Sequence, residues 1–487
     1  MKNNQSPFLI LLFLILIQTA YSQQINLSDA ISIAQEKNLK IQSSQSSKHA
    51  SEKTLKASNS SYLPKVSLYA GYTHLGDELK LDMSQTQESF VDGLSRQQVA
   101  TLDVVNQNIN GVPLSETQKQ NIYNASSTAL NKLYPNFDPT LSYQDYFMAS
   151  VLVNQPIFLG GKINSMNNVA ESNYKIAEHT SNQTSDLINS ETVTQYFTLL
   201  LLKEKIKTRK ATYDGMLKHN SSTIKLIKAE IIPAFYEYGA KAAVSDAESM
   251  LQLAEHEYET SMNSFKTLLN VPLDTIIQPK DSLYFVDIMV DIDEAREKSL
   301  EHSYLLKINQ EAKSIAQSNI SMSKSGNLPN IFAVGEIQLY QKNLPAITPP
   351  WMLGLQLKWD IFNGGKNMNH VKAAKLYKDV ADKENELITR KLETEVVNAY
   401  NRVQNTKLIY LNQIETKNLS QKNFHSIEKQ YKHGLVRSNE VITANVLFQE
   451  SRLKELETLY LYYLAVIELH TLKGDLNTFV QNYETAN

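Results

Sequence analysis

Two Gly-Gly-Lys runs, which end at Lys162 and Lys366, have residue types that could bind phosphate. Glycine-rich loops do so by turning backbone N–H groups toward phosphate oxygens. The GxxxxGK[ST] spacing of a phosphate loop is absent from both runs. We therefore predict turns that lead from a strand into a helix, formed by Gly160, Gly161, Gly364 and Gly365.

Side chains that could ligate metal or act as nucleophiles are not grouped along the sequence. His370, His425, His433 and His470 stand singly, without the HExxH spacing of a zinc site, and we predict them to lie on helix surfaces. A Gly-x-Ser-x-Gly elbow is absent, and the chain has no Cys, which excludes disulfides and thiolate chemistry. We predict no catalytic residue, no metal and no cofactor, so an enzyme is the least supported class.

The charge balance argues against a nucleic-acid partner. The 487 residues contain 48 Lys and Arg against 51 Asp and Glu, a net charge of −3. Binding to nucleic acid depends on phosphate contacts from clustered basic residues. The basic run Lys203–Lys210 fits a solvated helix face better.

The first 22 residues have the pattern of a secretion signal. Lys2 precedes the apolar run Phe8–Ile17, and Ala20-Tyr21-Ser22 fits a small-x-small cleavage site. No later stretch holds 18 apolar residues without charge. The mature chain is therefore expected to be exported, and any part of it that enters a membrane must do so as β-strands.

The chain contains a tandem duplication. Pro156–Lys162 recurs as Asp360–Lys366 at an offset of 204, whereas Leu63-Pro64 recurs as Leu328-Pro329 at an offset of 265. The difference of 61 residues places an insert at about 75–146. We predict a first repeat at 23–290, a second repeat at 291–475 and a C-terminal tail at 476–487.

Each repeat reads as helix, strand, strand, long helix and return helix. Apolar residues recur at three- and four-residue steps, which indicates helices that pack side by side. The insert has two further helix-like stretches, Thr86–Asn106 and Ser115–Lys132. The predicted helices of the two repeats are Leu27–Ser60 and Ile292–Ser325, Lys162 to about Thr223 and Lys366 to about Lys429, and Phe235–Leu269 and Asn439–Leu472.

The predicted strand Trp351–Ile361 alternates strictly between apolar and other residues. Trp351 and Trp359, the only tryptophans, lie on its apolar face and would be about 26 Å apart at 3.3 Å per residue. That separation matches the apolar band between the aromatic girdles of outer-membrane barrels.

Three further segments alternate in the same way: Val66–Thr73, Phe147–Asn154 and Ile331–Tyr340. In the last of them, Tyr340 is predicted to lie on the other face of the strand from the apolar residues. Closed membrane barrels start at about eight strands, so four strands cannot close one. We therefore predict that the chain oligomerises, and three copies would supply twelve strands.

These features resemble the TolC-type outer-membrane efflux channel family. The resemblance rests on the duplicated layout, on the two Ile-Phe-x-Gly-Gly-Lys exits from strand to helix, and on Tyr431–Val441, which matches the helix-hairpin tip of that family. It implies a homotrimer with a mostly α-helical barrel across the periplasm and a shared twelve-stranded β-barrel in outer-membrane lipid. It also implies a passive duct of a Gram-negative cell that docks on a periplasmic adaptor and an inner-membrane pump.

The resemblance also assigns candidate site residues. His433, Gly434 and Leu435 correspond to the tip that contacts the adaptor, and Glu230 and Ile231 belong to the first-half tip, which lacks the Gly-Leu pair. Glu440 falls at one aperture carboxylate of the family, and the second carboxylate position falls on Thr443. Glu440 could equally serve only to cap the return helix.

Other interpretations remain open at this level. An exported coiled-coil structural protein or adhesin would explain the helices and the secretion signal, but not the four amphipathic strands. An exported hydrolase would need a polar site that the sequence does not contain. The insert would be an extracellular loop, either a partly ordered cap or a surface decoration. Small molecules, ions and polypeptides are equally compatible cargoes.

Overall fold

Residues 23–135, 139–343 and 349–486 are described by a computed structural model, and the predicted secretion signal at 1–22 lies outside them. The chain forms two compact units. The strand unit comprises Ser60–Ile163 and Lys324–Asn367, and the helical unit comprises 23–59, 164–323 and 368–486. Each unit therefore draws residues from both predicted repeats.

The elements follow in the order that the duplication predicts. The helices are α1 Leu27–Lys37, α2 Leu39–Asn59, α3 Ser84–Asn110, α4 Glu116–Leu133, α5 Lys162–Lys228, α6 Tyr236–Leu268, α7 Ile292–His302, α8 Tyr304–Ser325, α9 Lys366–Lys432, α10 Ser438–Lys473 and α11 Leu476–Thr485. The strands are β1 Gln23–Ile25, β2 Lys65–His74, β3 Leu79–Lys80, β4 Thr140–Ser142, β5 Asp145–Phe158, β6 Ile277–Pro279, β7 Asn330–Lys342 and β8 Trp351–Lys358.

The two long helices, α5 and α9, have 67 residues each and contain no proline. They run further than the sequence predicts, because α5 ends at Lys228 rather than near Thr223 and α9 ends at Lys432 rather than near Lys429. The return helices α6 and α10 differ from their predicted bounds by one residue at each end.

The helix predicted at the start of each repeat is broken in two, so the prediction of continuous helices over Leu27–Ser60 and Ile292–Ser325 is wrong. The breaks fall at Asn38 and Ser303, which are related by the offset of 265, and both residues have ψ above +100°. Asn38 Oδ1 accepts from the N–H groups of Lys40 and Ile41, while its Nδ2 donates to Leu268 O at 2.8 Å. A short polar side chain thus ends one helix and caps the next.

Aromatic side chains of α5, α10 and α11 form the main core of the helical unit. Phe197, Tyr463 and Tyr483 are fully buried in mutual contact, with ring centroids 4.6–5.4 Å apart. The hydroxyl of Tyr463 accepts from Val286 N and donates to Tyr284 O, which fixes the segment before α7. The predicted tail at 476–487 therefore contains a helix that is packed into the core.

Strands β2, β5, β7 and β8 form one antiparallel sheet in the order β2-β5-β7-β8. The register places the predicted apolar faces in line: Trp351, Ile337, Val151 and Leu68 form one row of directly paired residues. The next row joins Leu353, Gly335, Val153 and Val66. These two rows make the middle of one face of the sheet apolar across all four strands.

Two details of the strands differ from their predictions. Pairing shifts between Ala149 and Ser150, so Tyr340 lies opposite Ala149 and its ring contacts Phe147, at 5.6 Å between centroids. Tyr340 therefore lies on the apolar face, whereas the alternation predicts it on the other face. The cause is a bulge that adds one residue to β7. In addition, β8 ends at Lys358, so Trp359 and Ile361 follow the strand rather than lie within it.

The insert is ordered. Leu75 N donates to Gln144 O, β3 pairs with β4, and helices α3 and α4 lie beyond them at 84–110 and 116–133. Ser115 starts α4 with a capping box to Gln118. Both helix-like stretches predicted in the insert are confirmed as helices.

Candidate functional site

The tips of the two helix hairpins have the same backbone geometry. Glu230, after α5, has φ +58°, and Gly434, after α9, has φ +69°. Ile231 N donates to Leu226 O and Leu435 N donates to Gln430 O, each five residues back. This is the hydrogen-bond pattern of a Schellman helix end. The first tip therefore departs from the family sequence pattern but not from the conformation of the second tip.

The structure brings the two tips together. A Cβ atom built on Gly434 would lie 3.9 Å from Cγ2 of Ile231. The tips expose large apolar side chains in this region, and Leu435 is 73% exposed. The other exposed apolar residues of the tips are Ile231, Phe235 and Tyr238. The predicted tip residues from the two halves of the chain therefore contribute to one surface.

A buried polar cluster joins the two hairpins next to the tips. His219 Nε2 of α5 lies 2.8 Å from Ser438 Oγ, where α10 begins, and Thr223 Oγ1 lies 3.0 Å from the hydroxyl of Tyr431. All four side chains are buried. Burial lowers the pKa of His219 below its ordinary value of 6.5, against the attraction of Glu428. We call these four residues the tip cluster.

Sequence reasoning did not find the tip cluster, because its members lie far apart in the chain and form no motif. The prediction that His470 lies on a helix surface is also wrong. His470 is buried, and its Nδ1 lies 2.7 Å from a carboxylate oxygen of Asp475, which follows the end of α10. This contact links the last turn of α10 to the residue that follows the helix. A single histidine in the sequence does not reveal such a contact.

Glu440 lies in the first turn of α10 and is exposed. Its Oε1 accepts from the backbone N–H of Arg437, the residue before the helix, at 3.3 Å. A carboxylate at this position caps the helix and is stabilised by the positive end of the helix dipole. Thr443 is exposed one turn further along α10. The capping contact leaves the carboxylate accessible to solvent, so it is compatible with a second role.

The strand-to-helix turns have the geometry that the Gly-Gly-Lys runs predict. Gly160 and Gly161 precede α5, Gly364 and Gly365 precede α9, and all four have φ between +61° and +82°. Gly160 is also constrained by space, because a Cβ atom there would lie 2.8 Å from Cβ of Leu328. These turns therefore have a structural reason for glycine that involves no phosphate.

The predicted girdle residues are exposed. Trp351 begins β8 and is 63% exposed, and Trp359 is half exposed just beyond the strand, where its Nε1 donates to Asn327 O at 3.1 Å. Tryptophan with an apolar body and a bonded N–H suits the boundary between lipid and water.

Metal ligation and helical membrane spans can be assessed for the described residues. Among the described residues, no group of three or more His, Cys, Asp or Glu side chains is placed to hold a metal ion. Within the same part of the chain, none of the helices combines the length and the apolar character needed to cross a membrane.

Comparison with protein families finds a match in the second half of the chain. Residues 297–475 match the family model of outer membrane efflux proteins. Comparison with curated protein sequences finds no match.

Solved structures of outer-membrane channels are similar to almost the whole chain. CmeC of Campylobacter jejuni has a TM-score of 0.70 at 15% identity, covering 93% of this chain and 86% of CmeC. VceC of Vibrio cholerae has a TM-score of 0.69 at 13% identity, covering 92% of this chain and 96% of VceC. The open state of MtrE from Neisseria gonorrhoeae has a TM-score of 0.68 at 15% identity, covering 93% of this chain and 89% of MtrE.

The predicted resemblance is thereby confirmed, as is the mostly helical fold with four amphipathic strands per chain, whereas the closed twelve-stranded barrel of three chains stays a prediction. The matched family consists of efflux channels rather than enzymes. Residues 297–475 are similar to outer membrane efflux proteins, and the described chain has the fold of the solved outer-membrane channels.

Proposed function

We propose that this chain is the protomer of a passive trimeric exit duct in the outer membrane of a Gram-negative cell. The observation that carries the proposal is the four-stranded sheet, which has apolar rows aligned across one face and two edge strands, β2 and β8. Each edge strand pairs on one side only in the part of the chain that the structure describes. Exposed edges of this kind invite pairing with another chain.

A ring of three copies would remove all the edges. β2 of one copy would pair with β8 of the next, which gives a twelve-stranded barrel with the aligned apolar rows toward lipid. Of the two edge strands, β8 is the shorter, with 8 residues against 10 in β2. Closure satisfies the backbone groups of both strands, which is the condition for spanning a bilayer.

The helical unit would lie in the periplasm and dock on an adaptor through the hairpin tips. Ile231, Phe235 and Leu435 supply an exposed apolar surface there. Beside the tip cluster is a cavity of about 510 Å³ whose lining includes Lys218, Lys225 and Lys432, together with Glu428, which is paired with Lys432 at 3.4 Å. This lining favours an adaptor that presents apolar side chains flanked by acidic ones.

The duct would serve a tripartite efflux or a type I secretion system with an inner-membrane pump. Small molecules, ions or polypeptides would pass without a dedicated binding site. The homology of residues 297–475 to efflux proteins supports efflux as the general role.

Native mass spectrometry of the protein extracted from outer membranes with detergent tests the proposal. We expect a mass of three mature chains and no solubility without detergent. A monomer or dimer that stays soluble without detergent would overturn the duct and favour an exported coiled-coil structural protein.

Adaptor docking is tested separately by co-purification of adaptor with wild-type protein and with Leu435→Asp. We expect loss of the adaptor from the variant and an unchanged trimer. The matched control is Leu408→Asp, which introduces the same charge at an exposed position on α9 well away from the tip in sequence. Equal adaptor recovery from all three proteins would contradict docking at the tips.

A further inference from the structure

The insert carries a helical hairpin that is joined to the sheet through the short β3–β4 pair and flanking backbone hydrogen bonds. We call residues 84–133, which contain α3, α4 and their connection, the insert hairpin. Leu75 N donates to Gln144 O at 2.7 Å, and Leu81 N donates to Pro139 O at 3.1 Å beyond the β3–β4 pair. At the base of the hairpin the rings of Phe90 and Tyr134 meet edge to face at 5.3 Å. The hairpin is therefore anchored rather than loosely tethered to β2 and β5.

The insert hairpin has almost no apolar core of its own. Val91 is the one aliphatic or aromatic residue of the hairpin that is buried among those described. Leu94, Val99, Ile122 and Leu130 are only half-buried. Two hydrogen bonds also join α3 and α4: Ser126 Oγ donates to Gln98 at 2.6 Å, and the Tyr123 hydroxyl donates to Asp92 at 2.7 Å. Isolated helices gain most of their stability from the burial of an apolar face, so this hairpin needs cover from another surface.

Uncovered apolar residues cluster at the far end of the hairpin. Leu102, Val105 and Ile109 recur at steps of three and four on α3, and Val112 follows in the turn; all four are exposed, Ile109 by 75%. We call these four residues the apex patch. Single exposed apolar residues are ordinary, but a stripe of this kind marks an interaction surface.

The charges around the apex patch favour a second copy of the same surface. Residues 104–115 contain no charged side chain. The nearest carboxylate in sequence, Asp103, is paired with Lys119 at 3.2 Å. Identical copies can therefore meet at the apex patch without like-charge repulsion, whereas a partner recognised by charge would find no complementary group there.

The strand order brings copies close to one another. The insert follows β2, which is an edge strand, so in the proposed barrel every insert leaves the sheet next to a boundary between copies. Attachment to the barrel rim raises the effective concentration of the three hairpins, so a small contact suffices. From these observations we propose that the apex patches of three copies pack together as a collar at the extracellular mouth of the duct. The proposal rests on the trimer proposed above.

Cysteine crosslinking tests the collar directly, because the chain contains no Cys. Ile109→Cys places a thiol in the apex patch, and Gln107→Cys places one at an exposed position on the opposite side of α3. In purified trimers treated with a short bis-maleimide, we expect covalent pairs of chains from Ile109→Cys, and about tenfold fewer from Gln107→Cys because its thiols face away from the axis.

A second measurement uses the same variants without crosslinker. In the collar, Ile109→Cys should react more slowly with a bulky maleimide than Gln107→Cys. Trimers in which both thiols crosslink poorly and react with maleimide at equal rates would overturn the collar while leaving the duct intact. Absence of trimers in native mass spectrometry would instead overturn the proposed function.

Discussion

Glu230 and Gly434 adopt the same left-handed backbone conformation at positions that are 204 residues apart, which is the offset of the duplication. At the second tip the residue is glycine, which takes this conformation without steric cost. At the first tip it is glutamate, whose Cβ makes the same conformation unfavourable. The backbone of the first tip is therefore strained at Glu230, whereas the same conformation is unstrained at Gly434 in the second tip.

Substitution at these two positions should have opposite effects. We expect Gly434→Ala to destabilise the second tip by about 1 kcal/mol and Glu230→Gly to stabilise the first tip by a similar amount, since only glycine tolerates the positive φ. Hydrogen exchange of the Leu435 and Ile231 amides measures the free energy of opening of each tip. Gly239→Ala is the control: Gly239 lies within α6 with open space around its Cβ position, so alanine should not destabilise there. Destabilisation by Glu230→Gly would contradict the argument.

The two faces of β8 should respond differently to charge. Leu355 lies opposite Ala333 on the apolar side of the sheet, and Gln356 lies opposite Phe332 on the other side. In the proposed barrel we expect Leu355→Arg to cost about 2–4 kcal/mol per chain and Gln356→Arg far less, because only the first places a cation in lipid. Denaturant titrations of refolding into lipid bilayers measure the free energy of unfolding of both variants. Equal costs would contradict the assignment of the lipid face.

The duplication and the alternating strands made most of the fold predictable from the sequence. Periodicity locates long elements because each buries one face, and the repeat offset then checks each element against its counterpart. Asn38 and Ser303 were missed because a helix break made by one polar side chain leaves the apolar period almost unchanged. The bulge that turns Tyr340 was missed for a related reason, since alternation alone does not reveal an extra residue.

The candidate site was predictable only in part. The tip residues stand in one local motif in the second repeat, so resemblance could locate them. The contacts of His219 with Ser438 and of Thr223 with Tyr431 join residues more than 200 positions apart. Such pairs arise from packing of the hairpins and leave no local pattern.

Glu440 allows a test of the aperture. Three exposed carboxylates around a narrow axis would attract hydrated cations. We expect Glu440→Gln to reduce the cation selectivity of the channel in planar bilayers with no loss of trimer, because glutamine can still accept from Arg437 N. Glu450→Gln, which removes an exposed carboxylate further along α10, should leave selectivity nearly unchanged. If Glu440→Gln has no effect on selectivity, Glu440 is only a helix cap.

The tip cluster should make the packing of the two hairpins sensitive to acid. Burial holds the pKa of His219 below 6.5 in the closed tip, while opening of the tip returns it to that ordinary value. Below pH 6.5 the open form therefore binds a proton that the closed form does not, so stability of the closed tip falls as pH falls and is constant above that range. The attraction of Glu428 opposes this loss. The other charged side chains that line the cavity beside His219 are Lys218, Lys225 and Lys432.

The loss should approach about 1.4 kcal/mol per pH unit between the two pKa values. Hydrogen exchange of the amides at 216–231 and 431–445, measured from pH 7.5 to 5 and corrected for the intrinsic rate, reports this directly. His219→Gln should remove the dependence, because glutamine can bond Ser438 but does not titrate. His433→Gln, at an exposed position of the same tip, should leave it unchanged. A dependence that persists in His219→Gln would show that another group is responsible.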